Sequence, residues 1–240
     1  MFSLAFLLLV VTPLGLHAGL WWSKDHASNW ATANWSSTRT LLPAAKSRPA
    51  MVRIYSARTG RWKGVFATHS WIVLKEKGAG SYERWDKVGW GQPVRRNNYA
   101  PDGRWYGNDP RVVYEVRGEL AEQLIPKIRA GIAAYSFSEQ GDYRVWPGPN
   151  SNTFIASVLA SLPELAGTLP PTAIGKDYPH DGRWIGWTPS ETGFRISLGG
   201  YAGLTLAWVE GLEINILGMV VGIDFRNPAL KLPGFGRVGV

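Results

Sequence analysis

An α+β chain, with an antiparallel sheet packed against two main helices, is the fold class this sequence predicts, and three observations predict it. Apolar and polar side chains alternate at Met51-Val-Arg-Ile-Tyr55 and again in Gly64–Lys75, the period of a strand. Four-residue apolar spacing recurs at Leu120, Leu124, Ile128 and Ile132, and at Phe154, Val158 and Leu162, the period of a helix packed on one face. Between residues 194 and 225, short apolar runs are broken by Gly199-Gly200, Gly203, Gly211, Gly218 and Gly222, as antiparallel strands joined by tight turns would be.

The first 22 residues stand apart. FSLAFLLLVVTPLGLHAGLWW is apolar over a membrane-spanning length and is followed by Lys24, with Trp21 and Trp22 where interfacial anchors belong. No Lys or Arg precedes the apolar run, and Leu16-His17-Ala18 puts a large residue where signal cleavage needs a small one, so a retained anchor is favoured over a cleaved signal. Residues 23–50 are rich in Ser, Ala, Thr and Asn with Pro43 and Pro49, and read as a linker. Residues 51–240 are then expected to form a single domain.

Within that domain the strands at 51 and at 64–75 lead through Gly78-Ala-Gly-Ser81 into YERWDKVGW, a hairpin by its glycine-rich turn. Residues 91–110 read as a polar loop, and Arg111–Arg117 as a further strand. The helical pattern over 119–135 contains Pro126, which implies a bend or a late start there. A second helix is expected over about 151–165, and the strands FRISLGG, LTLAWV and LEINILGMVVGIDF follow. Glu213 and Asn215 argue against the last run as a second membrane span. The tail reads as an irregular cover.

Composition narrows the chemistry. With no cysteine there are no disulfides, thiolate metal sites or cysteine nucleophiles, and four histidines without short ligand spacing make a zinc cluster unexpected. No cofactor is called for. A net charge of +8 fits anionic lipid or cell-envelope polymer, and the absence of a helix-turn-helix, finger or continuous basic helix argues against specific nucleic-acid binding. Thirteen tryptophans serve a core, a stacking surface or a membrane interface.

The candidate site centres on Trp146-Pro-Gly-Pro-Asn150-Ser151-Asn152-Thr153-Phe154, where turn residues open into a helix. The first N–H groups of a helix have no intrahelical partner and favour an anion, so Ser151 is placed either as a cap, a role Asn150 shares, or as a nucleophile with the Asn152 and Thr153 amides facing an oxyanion. His69 is the one histidine inside a predicted strand of the domain. Asp86, with Glu83 as alternate, falls on the neighbouring strand within reach of it. A repeated turn, Asp102-Gly-Arg104-Trp105 and Asp181-Gly-Arg183-Trp184, reads first as two similar turns with inward tryptophans and, as the alternative, offers paired cations and aromatics as groove walls.

The order of strand His69, a neighbouring acid and Asn150-Ser151-Asn152-Thr153-Phe154 at a helix start resembles the circularly permuted papain-like superfamily. The resemblance implies a permuted papain-like fold and peptidase, amidase or acyltransferase chemistry, with Ser151 at the nucleophile position, His69 as base and Asp86 as the orienting group. That superfamily uses cysteine, so the chain is expected to be either a serine-dependent hydrolase of cell-envelope peptide, peptidoglycan or lipid, or an inactive domain that binds such material. HSWIV, GPNSNTF and PPTAIGKDY, within Met51 to about Phe225, also resemble a bacterial domain family of unknown function that usually carries one N-terminal membrane segment. Export segments of that type imply an inner-membrane anchor with the domain in the periplasm, whereas the charge after the span favours the cytoplasm.

Overall fold

The computed structural model describes residues 2–239 and shows an α+β fold built on two antiparallel sheets. Strands β1 (Met51–Arg58), β2 (Thr68–Lys75), β3 (Glu83–Lys87), β4 (Val94–Arg96) and β5 (Arg111–Arg117) form a five-stranded sheet in the order β4-β3-β2-β1-β5. Strands β6 (Ile185–Trp187), β7 (Gly193–Leu198), β8 (Ala202–Ala207), β9 (Gly211–Ile216), β10 (Met219–Asp224), β11 (Ala229–Leu232) and β12 (Gly236–Gly239) form a seven-stranded meander in chain order. The helices are α1 (Phe2–Phe6), α2 (Thr12–Trp22), α3 (Glu119–Ala133) and α4 (Ser151–Ala160), with a π-helical stretch Leu7–Val11 joining α1 to α2.

Both faces of the five-stranded sheet are covered. Val52, Ile54, Ile72 and Leu74 point at α3 and α4, meeting Leu124, Ile128, Phe154 and Val158 in the main core. Every residue of β2 is buried, whereas most of β10 in the other sheet is at least partly exposed. The alternate residues Met51, Tyr55, Trp71 and Val73 form a second cluster closed by Trp35, Leu41, Tyr99 and Trp105. The stretch read as a linker therefore supplies part of this cover. The Asp102 carboxylate gathers it, accepting from Ser37 Oγ at 2.6 Å and from the amides of Thr40 and Leu41 at 2.8 and 3.2 Å. A buried acid satisfied this way fixes a polar chain whose composition alone suggests no order.

Several boundaries also shift. Residues 61–65 turn in a 3-10 segment before β2, so the strand expected from Gly64 starts at Thr68. Residues 94–96 of the expected polar loop pair with β3 as an edge strand. Pro126 sits inside an uninterrupted α3 that begins at Glu119. The second helix ends at Ala160, and a separate 3-10 turn spans Pro163–Leu165. LEINILGMVVGIDF divides into β9 and β10 at Leu217-Gly218, two residues at positive φ. The tail forms the hairpin β11–β12, with Leu230 opposite Val238. Alternation over four residues per strand is too short a signal for the sequence to have shown it.

Candidate functional site

The N-terminus of α4 ends at the start of β2, where Asn152 Nδ2 donates to the Thr68 carbonyl at 2.8 Å. Capping falls to Asn150. Its Oδ1 accepts from the amides of Asn152 and Thr153 at 2.9 and 3.2 Å, and Thr153 Oγ1 accepts in return from the Asn150 amide at 3.1 Å. Asn150 Nδ2 donates onward to the carbonyls of Val145 and Ile174. Gly175 makes room for this amide: its φ is +94°, and a Cβ there would lie 2.2 Å from Asn150 Nδ2.

This corrects the expected oxyanion donors. The amides of Asn152 and Thr153 are already used by the cap, and Thr153 Oγ1 itself donates to Gly175 at 2.6 Å. Asn150, Asn152 and Thr153 therefore hold the helix start in place. Among the described residues the first-turn amide of Ser151 has no acceptor, which leaves Ser151 N–H, at the positive end of α4 on a residue that lines the cleft, as the first-turn donor not taken by the cap. The Ser151 side chain is also released from capping.

His69 and Asp86 meet. Ile72 opposes Trp85 across β2 and β3, a register that sets Asp86 on the same sheet face as His69, and His69 Nε2 lies 3.0 Å from Asp86 Oδ1. Arg84, two residues earlier on that face, adds Nε to Asp86 Oδ2 at 2.7 Å and Nη2 to Oδ1 at 2.8 Å, and stacks over Trp71 with its Cζ 4.0 Å from the ring centre. Burial alone would raise the Asp86 carboxyl, but the Arg84 charge and the bonds from His69 and Arg84 hold it at about 2. The ionised carboxylate only accepts, so the His69 proton sits on Nε2 and the lone pair on Nδ1. Burial lowers the His69 pKa, the Arg84 charge adds to that, and Asp86 opposes it, so the ring is neutral near pH 7.

Trp105 lies flat on the His69 ring at 3.5 Å between centroids and 3° between planes. It belongs to the support of the site. Arg104 pairs with Asp109 at 2.8 Å. The second copy of the turn is elsewhere: Arg183 and Trp184 are exposed at the start of β6, outside the cleft, so the two turns do not form a common wall. The first turn is drawn inward by its buried Asp102, whereas Asp181 stays exposed and caps its own turn at the Arg183 amide. Glu83, the alternate partner, faces the other way and binds Arg129 at 3.0 Å and Arg96 at 3.1 Å.

A cavity of about 810 Å³ gathers His69, Trp105, Tyr143 and Ser151. Its apolar wall includes Leu14, Trp62, Phe66, Trp90, Leu217 and Met219, with Arg61 and Lys63 also lining it. Burial pushes the Tyr143 phenol up to about 12, against the opposing influence of the neighbouring Ser151 side chain. Arg84 and Tyr143 are the residues that sequence reasoning missed. Strand alternation places Arg84 beside Asp86 and was the available signal, whereas Tyr143 sits in an irregular lead-in with none. Among the described residues no group of three or more acidic or histidine ligands gathers to hold a metal ion.

A family model described as "Protein of unknown function (DUF3750)" matches residues 49–178, more than half of the chain, and the chain belongs to that family. The matched span contains β1–β5, α3, α4 and every polar member of the cleft just described. Comparison with curated proteins and with solved structures gives no match, and the papain-like likeness rests on motif order alone. Among the described residues one helical stretch, Leu4–Trp22, is long and apolar enough to cross a membrane.

Proposed function

We propose that the cleft is a serine-dependent acyl hydrolase site acting on an ester or amide that carries a long apolar chain. The observation that carries this reading is the orientation of His69: Nε2 is committed to Asp86, and the remaining ring nitrogen belongs to a ring that lines the same cavity as Ser151. In the proposed reaction His69 Nδ1 accepts the proton of Ser151 Oγ as the oxygen attacks the carbonyl carbon. The oxyanion is met by the Ser151 amide at the α4 N-terminus. His69 then returns the proton to the departing alcohol or amine, leaving an acyl-serine, and a water deprotonated by His69 releases the acid. The apolar wall, which includes Leu14 of α2, suits a lipid acyl chain better than a peptidoglycan peptide.

A second reading, a non-catalytic lipid-binding cleft, is favoured by one feature. Among the described residues the His69 ring makes one hydrogen bond, to Asp86, and none to Ser151, while Arg84 neutralises the carboxylate that would support an imidazolium. An alkyl fluorophosphonate separates the two. Hydrolase chemistry predicts labelling of the intact protein that Ser151→Ala and His69→Ala abolish; labelling that persists in Ser151→Ala sinks it. Ser151→Cys supplies a second readout in a chain with no other cysteine. Its thiol should titrate below the free value of about 8.5 and return toward it when His69→Ala is added. An unshifted thiol together with no phosphonate adduct makes binding the function.

A further inference from the structure

The seven-stranded sheet is built with its polarity reversed. Trp187, Phe194, Leu206, Leu212, Ile223 and Leu230 are partners strand by strand and make one apolar row across the outer face. Most of that row is exposed, Phe194 at 55%, Leu206 at 57% and Leu230 at 53%. The inner row, one residue over, is Arg195, Thr205, Glu213 and Lys231, all buried. A soluble sheet with one wet face shows the opposite alternation, and apolar patches of this extent mark a binding surface.

We propose that this outer face lies on a lipid bilayer, together with the exposed side of the N-terminal helix, so that the protein is held monotopically. The occupant follows from what adjoins the face. The Leu7–Val11 stretch packs beside β10, and the row Leu198, Ala202, Ile216, Met219 brings the outer face to that same end of the sheet. The helix lies along the domain: Val10 and Trp21 are buried, the His17 ring meets Phe235 in the β11–β12 turn at 5.2 Å, and Trp21 fills the space over Gly64. Leu4, Leu8, Leu16 and Leu20 remain exposed. A helix docked along its length on the domain presents its free side in the same membrane that the sheet reaches, the arrangement of an interfacial anchor. Trp184, Tyr201 and Trp208 stand at strand ends around the face, where amphipathic rings sit at headgroup level. The cavity shares Leu14 and Met219 with this border.

The absence of native cysteine makes the test direct. The full chain is reconstituted with phosphatidylcholine–phosphatidylglycerol vesicles and carries a bimane fluorophore at Leu206→Cys, at Leu230→Cys or, on the β2–β3 turn of the other sheet, at Ser81→Cys. A nitroxide on the lipid chain should quench the first two by about twofold or more and leave the third bright, as interfacial burial of the sheet requires. Three results overturn the proposal: quenching at 206 and 230 by aqueous iodide and not by lipid; equal lipid quenching at all three positions; or shielding from both quenchers in a protein that sediments as a dimer, which assigns the face to a second copy of the chain.

Discussion

The two sheets solve the same problem with opposite alternations. In the five-stranded sheet the residues aimed at the helices are Val52, Ile54, Ile72 and Leu74, and the other face sets the buried Arg84–Asp86–His69 group among Tyr55, Trp71 and Trp105. In the seven-stranded sheet the inward residues are mostly polar, with an ionic cluster among them. Lys176 from the chain before β6 lies between Asp177, at 2.9 Å, and Glu213, while Lys231 reaches Glu213 at 2.5 Å. Burial disfavours the Lys176 ammonium, yet Asp177 and Glu213 hold its pKa above the ordinary range. The helix-facing side of the first sheet is organised by apolar burial, and the inner side of the second by a satisfied charge cluster with its apolar side turned outward.

That contrast predicts where each sheet is fragile. Glu213→Ala leaves Lys176 and Lys231 buried with only Asp177 between them, and should cost about 3–5 kcal/mol, the usual effect of breaking a buried pair from one side. Ile72→Ala, in a fully buried position of the first sheet, should cost about 2–5 kcal/mol by lost transfer energy and cavity formation. Denaturant unfolding of the full chain in one mild detergent measures both. A Glu213→Ala protein as stable as the parent would remove the ionic account of the second sheet.

The difference between the sheets also decides what was legible. Strand β1, strand β5 and both main helices follow from periodicity, because in that half inward means apolar and local pattern agrees with tertiary burial. The pairing of His69 with Asp86 was readable for the same reason: the hairpin register carries both to one face. The runs of β7 to β10 were readable as strands, but their orientation was not, since alternation has a period and no sign. Reading FRISL with its apolar side inward is the ordinary inference, and it is inverted here by Glu213 and Lys231, partners that are 18 residues apart. The cover formed by residues 34–42 was hidden in a polar composition because a single carboxylate, Asp102, organises it.

A smaller effect separates the acidic groups of the first sheet. Asp86 has a folded pKa of about 2, below the value of about 3.9 for an unfolded aspartate. A depressed carboxyl contributes stability that is present above the unfolded pKa and lost as pH falls through the folded one, so this contribution of about 2–3 kcal/mol should disappear between about pH 4 and 2. His69 acts in the same direction, because its lowered pKa makes folding oppose protonation as pH falls below about 6.5. Midpoints of thermal unfolding from pH 7 to pH 3 should fall less steeply for Asp86→Asn, already destabilised at pH 7, than for the parent.

The smallest expected effect belongs to the outer face. Leu206→Ser removes a large apolar side chain from the centre of the seven-stranded sheet, and in a core that change would rank with Ile72→Ala. Leu206 is 57% exposed, however, so in the folded chain in detergent it is covered only in part, by its row neighbours Phe194 and Leu212. Its removal should shift unfolding free energy by no more than about 1 kcal/mol, the range of a cross-strand pair on an open face. Vesicle flotation should respond instead, because each buried apolar group adds to the interfacial affinity of the whole face. A core-sized loss of stability would mean that the face is packed against protein, and the reversed polarity of the second sheet would then describe an unfilled interface between chains rather than a lipid-facing surface.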